Sequence, residues 1–125
     1  MKRFVVFAAA ALAANFAIAQ DDADVVILPP DAQKCVLPAS PDAIPDDADR
    51  DQLLAAKNDV KTFQEKVVVF RACLDEASAN PDNTPGNTQA IVDSYNYSVE
   101  MEERVANRFN EAVRDFKERQ AAAGG

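Results

Sequence analysis

The sequence predicts an all-α protein: an antiparallel, coiled-coil-like two-helix hairpin, with a Pro-rich extended N-terminal strap tied to it by one disulfide. Three observations carry this prediction. Two long apolar stripes recur with heptad spacing, proline is concentrated ahead of them, and two cysteines follow an export-type leader. At 125 residues the chain suits one small domain.

Met1-Lys2-Arg3 supplies a positive end, Phe4 to Phe16 is apolar apart from Asn15, and Ala17-Ile18-Ala19 offers a small-x-small cleavage pattern. Residues 1–19 are therefore expected to be a signal peptide cut after Ala19. The alternative is an uncleaved anchor, but an apolar run of about 16 mostly small residues falls short of the roughly 20 needed to span a bilayer. After cleavage no stable membrane anchor should remain, and the product should be periplasmic or secreted. In that compartment an even cysteine count is most simply one bond, Cys35 to Cys73. The rival reading, a reactive thiol pair, wants close Cys-x-x-Cys spacing, whereas 37 residues intervene here.

Residues 20–48 read as an acidic, extended strap. Five of the seven prolines (Pro29, Pro30, Pro38, Pro41, Pro45) fall there and no helical period does. Its apolar residues Val25, Val26, Ile27, Leu28, Val36, Leu37 and Ile44 are too many for a free linker, so something must cover them. The run Asp21-Asp22-Ala23-Asp24 reads as a solvated tail.

The helical hairpin is expected over 49–120. Leu53, Ala56, Val60, Phe63, Val67, Phe70, Leu74 and Ala77 alternate in spacings of 3 and 4, one face of a helix over about 49–79. Asp49 with Gln52 three residues on suits its N-cap. Asn80-Pro81 stops it, and Thr84-Pro85-Gly86-Asn87 continues the loop. A second helix, capped by Asn87 or Thr88 and spanning about 88–120, carries Tyr95, Val99, Glu102, Ala106, Phe109, Val113 and Phe116. Folded back, the two stripes match in one register, with Phe63 facing Ala106 and Val60 facing Phe109. Glu100 to Arg104 and Asp115 to Arg119 fit surface i, i+4 pairs, and residues 121–125 read as a disordered tail.

Composition narrows function. Lys and Arg total 13 against 21 Asp and Glu, a formal charge of −8, and losing Lys2 and Arg3 takes it to −10. Such a chain repels phosphate backbones, so nucleic acid is excluded as a partner. The absence of His removes Ser-His-Asp and Cys-His chemistry and every imidazole zinc site.

Cys35-x-x-Pro38, Pro41-x-x-Ile44-Pro45, Phe63/Phe70-x-x-Cys73-Leu74 and Val105-x-x-x-Phe109-Asn110-x-x-Val113-x-x-Phe116 together span Cys35 to about Arg119. Over that stretch the chain resembles a group of small exported proteobacterial proteins built as disulfide-tied helical hairpins. The resemblance implies fold and compartment and carries no catalytic residue across. It departs in having Phe70 where that group has a Tyr before the second cysteine.

Four constellations invite a functional reading. Asp47, Asp49 and Asp51 have the alternate spacing that opens a calcium loop, but Gln52 stands where that loop needs Gly and Asn58 where it needs Glu. A cap with an acidic first turn is the simpler account. Glu102 lies on an apolar stripe, either reached by Lys66 or in a wet seam. Asn96-Tyr97-Ser98 matches a glycosylation sequon inside a helix and reads as chance. Tyr97, Met101 and Val105 form a candidate interaction ridge, covered by the strap or offered to a partner.

The expected function is a non-enzymatic cell-envelope module for protein interaction or structure. It has no catalytic, metal or cofactor residues, and its partner is an unknown envelope protein or a second copy forming a homodimer. The alternative is a carboxylate-based metal-binding protein or small enzyme. Mass spectrometry of exported material should find an N-terminus at Gln20; retained Met1 contradicts the cleavage.

Overall fold

The protein's structure, a computed structural model, describes residues 25–124. The leader, its cut after Ala19 and the acidic run 21–24 lie outside the described residues. Within them the protein is all-α, with helices α1 (Pro30–Gln33), α2 (Arg50–Ser78) and α3 (Pro85–Gly124) and one disulfide.

α2 starts where its cap demands. The Asp49 carboxylate accepts the Gln52 backbone N–H at 2.8 Å, and the Gln52 side chain accepts the Asp49 N–H at 2.9 Å, a complete capping box. At the other end Asn83 donates its side-chain amide to the Ala77 carbonyl at 2.8 Å, satisfying an orphan acceptor of the last turn. Asn80 accepts from the Asp82 N–H at 3.0 Å, which turns the chain away.

Three boundaries differ from expectation. The segment expected to be extended contains a helical turn, α1, because Pro29 is extended and Pro30 occupies the first helical position, where its missing N–H costs nothing. α3 begins at Pro85, earlier than 88, for the same reason. Thr84 and Asn87 close that start reciprocally: the Thr84 hydroxyl accepts the Asn87 N–H at 3.1 Å, and Asn87 Oδ1 accepts the Thr84 N–H at 3.0 Å. The tail expected to be disordered is helical through Gly124, consistent with the high helix propensity of Ala121, Ala122 and Ala123.

The core lies between α2 and α3, with residues 28–37 packed against one end of it. One cluster joins Phe70, Leu74 and Ala77 of α2 with Ile91 of α3 and Ala32 of α1, and Leu28, Cys35 and Leu37 pack on it. A second joins Phe63 and Val67 with Val105, backed by Val60 and Met101. The stripe expected on α2 is the buried one, except that Ala56 and Val60 are half-buried. On α3 the buried positions are Gly86, Ala90, Ile91, Ser98 and Val105, so the inward face is rotated from the expected stripe. Tyr95 is exposed, and Val99, Glu102, Ala106, Phe109, Val113 and Phe116 are half-buried. Ser98 lies at the centre of that face, fully buried and hydrogen-bonded, a position that an apolar pattern overlooks.

Truncation costs should follow this burial. Leu74→Ala, at a side chain 1 % exposed, should lose about 3 kcal/mol in urea unfolding. Phe109→Ala at its half-buried site should lose less; equal losses contradict the assigned inward face.

Candidate functional site

The disulfide joins Cys35, just past α1, to Cys73 in the last third of α2, with Cα atoms 5.6 Å apart. It holds α1 against α2, where Leu28 and Leu37 settle on the first cluster. Side chains add further ties: Asn87 donates to the Ile27 carbonyl at 2.8 Å, and Asn80 donates to the Asp31 carboxylate at 3.2 Å. At the far end Arg119 donates to the carbonyls of Asp46 and Ala48. That guanidinium was expected to pair with Asp115; two backbone acceptors in a forked geometry hold it instead. The other expected pair is present, Glu100 to Arg104 at 3.7 Å, and is exposed enough to contribute little.

Beside the disulfide the surface is aliphatic. Val36 is 80 % exposed and Val69 70 %, with Val68 next to it at 64 %. Val36, Leu37 and Pro38 form one wall of a groove of about 550 Å³, and Thr62, Glu65, Lys66 and Val69 of α2 form the other. Across the strap a second groove of about 370 Å³ is lined by Leu28, Cys35, Leu37, Leu74, Asp93 and Tyr97.

The expected ridge on α3 does not survive as one surface. Val105 is buried against Phe63 and Val67, and Met101 packs on the same cluster. Only Tyr97 stays exposed. The rotation of α3 carries the first two inward, while Ile44 and Pro41 of the strap line the cavity that reaches Val105.

Glu102 is paired, though with a residue the sequence reading did not single out. Arg71 donates through Nη2 to the Glu102 carboxylate at 2.7 Å and through Nε to the Ser98 hydroxyl at 2.9 Å. The Ser98 hydroxyl donates in turn to the Tyr95 carbonyl at 2.6 Å, and the guanidinium carbon lies 5.5 Å from the centre of the Tyr95 ring. Lys66, the partner expected for Glu102, lies on the groove wall instead. The sequence offers only the spacing of Ser98, midway between Ile91 and Val105 in a heptad, and nothing that points from it to Arg71.

Asp49 spends its carboxylate on the cap, while Asp47 and Asp51 are exposed. Among the described residues no group of three or more Cys, Asp or Glu side chains could hold a metal ion. Both cysteines are bonded, so neither offers a thiolate. The disulfide indicates an oxidising, non-cytoplasmic environment. No helix among the described residues is long and apolar enough to cross a membrane. No protein-family model matches the chain, and neither a curated protein nor a solved structure is detectably similar to it.

The bond closes a loop of sequence separation 38, for which the chain-entropy relation gives about 4 kcal/mol. The double variant Cys35→Ser with Cys73→Ser should lose a comparable amount in denaturant unfolding. An unchanged midpoint contradicts the tie.

Proposed function

We propose that the chain is a non-enzymatic exported protein of the cell envelope, periplasmic or secreted, serving as a protein-interaction or structural module. Its architecture is an antiparallel helical hairpin of α2 and α3, with the segment 27–48 as a strap clasped along one side. The hairpin reading is supported by the order of the core contacts: Ile91 meets the end of α2, and Val105, further along α3, meets its middle. The strap reading is supported by attachment at both ends, through Cys35 and Arg119. Export is supported by the disulfide, by the leader-like pattern of residues 1–19 and by the resemblance to small exported proteobacterial hairpin proteins.

The observation that carries the function is the aliphatic surface beside the disulfide. Val36 and Val69 face solvent from opposite walls of one groove. Adjacent aliphatic side chains of this kind mark a surface that another molecule covers. The partner is another envelope protein or a second copy of the chain.

Affinity capture from envelope extract tests this, with the wild type run beside a Val36→Asp, Val69→Asp variant. Both positions are exposed, so the thermal midpoint should stay within a few degrees. The wild type should retain a protein, or itself, that the variant loses; identical retained sets contradict the assignment.

A further inference from the structure

Residues 36–45 lie along one side of the α2–α3 pair, where Thr62 and Lys66 of α2 and Arg108 of α3 line cavities with them. The opposite flank stays open among the described residues. On α3 it presents Val92, Val99, Ala106 and Val113 at strict seven-residue spacing, Val92 45 % exposed and the other three half-buried. On α2, at about 100° per residue, Val68 shares that flank with Lys57 and Asp75, all three exposed. The stacked Arg71 and Tyr95 mark its inner edge. A stripe of small and β-branched residues that runs about 32 Å along a helix is matched by another helix of the same repeat, not by a loop or a small molecule.

The chain itself meets that requirement. A two-fold axis set across α3 midway between Val99 and Ala106 places each of these residues opposite the other in a second copy, and Val92 opposite Val113. Any heptad stripe does as much, so α2 supplies the independent check. The contacts of Arg71 with Ser98 and Glu102, and of Phe63 and Val67 with Val105, fix the relative height of the two helices, and they put α2 level with that axis at about residue 66. Lys57 and Asp75 are centred on residue 66, so the same axis sets Lys57 of each copy opposite Asp75 of the other, and Val68 within about one helical turn of its own copy. Nothing in the α3 stripe requires opposite charges to fall at those two places.

Charge favours this side as well. Residues 25–49 hold one Lys against five Asp, whereas α2 and α3 together hold ten Lys and Arg against twelve Asp and Glu. Stacking two copies by the open flank keeps the acidic segments on the outside and apart. Near the axis Glu102 is already neutralised by Arg71 at 2.7 Å, and Glu103 lies on the outer edge, exposed.

We propose that a second copy of this chain covers the open flank, giving an antiparallel two-fold dimer with four helices at its centre. The surface is distinct from the groove beside the disulfide, and the inference takes only the antiparallel order of α2 and α3 from the hairpin reading.

Sedimentation equilibrium on the exported, oxidised protein tests this between about 1 μM and 1 mM, where weak to moderate self-association is measurable. The wild type should pass from monomer to dimer. V68E/V92E, at two exposed positions, should stay helical and weaken the dimer by about tenfold or more, while V36D/V69D on the other side leaves it unchanged. Lys57 and Asp75 lie about 27 Å apart within one chain, so coupling between them reports the partner. K57E and D75K should each weaken the dimer by roughly threefold, and K57E/D75K should recover the wild-type value. A wild-type monomer throughout overturns the inference, as does a dimer indifferent to V68E/V92E or a K57E/D75K no stronger than the single variants. Loss of the dimer in V36D/V69D alone also overturns it, and assigns self-association to the groove, so that the proposed function stands while this inference falls.

Discussion

Two helices side by side bury only one stripe each, and that constraint governs the rest of the molecule. The third element is a segment with little regular structure of its own, so it cannot hold its place by backbone pairing. The Cys35–Cys73 bond answers this by fixing the segment to α2 beside the first apolar cluster, where Leu28, Ala32 and Leu37 complete a core that Phe70, Leu74 and Ile91 begin. Further along, Ile44 and Pro41 line the cavity next to Val60 and Val105, and Arg119 holds the carbonyls of Asp46 and Ala48. The covalent bond sets the start of the path, and a charged fork donating to two backbone carbonyls sets its end.

Covering one side of the helix pair has a consequence for α3. Its inward face runs through Ile91, Ser98 and Val105, toward Pro41 and Ile44, leaving Val99, Ala106, Phe109, Val113 and Phe116 half-buried on the other flank. Arg71 and Glu102 meet over that flank, with the Tyr95 ring under the guanidinium. A charged pair there is neither deep enough to demand complete desolvation nor exposed enough to be screened away.

Much of this was legible in the sequence because it depends on local rules. The α2 stripe, the Asp49–Gln52 cap and the cysteine pairing each follow from spacing or from an even count, and the structure carries all three. Proline misled twice in the same way: Pro30 and Pro85 were read as breaking helix, whereas at a first helical position proline begins one. The face of α3 was misjudged because a polar side chain, Ser98, holds a central buried place, and hydropathy assigns such residues to the surface. The ridge of Tyr97, Met101 and Val105 broke up as a direct result. Arg71 and Arg119 were not legible, since their partners lie 27 to 73 residues away in the chain and no local pattern announces a contact of that range.

The proposed docking surface has the same origin. With Cys35 bonded to Cys73, the next residue, Val36, is left standing in solvent, and Val69, one turn before Cys73, stands near it across a groove. The clasp that completes the core therefore also presents an aliphatic edge. The most direct test of this arrangement is methyl and aromatic nuclear Overhauser spectroscopy on the oxidised protein. The account predicts cross-peaks from the Val105 methyls to the Phe63 ring and to Val67, with Ile44 methyls close to Val60. Val105 methyls that see neither Phe63 nor Val67 contradict the paired helices and the surface built on them.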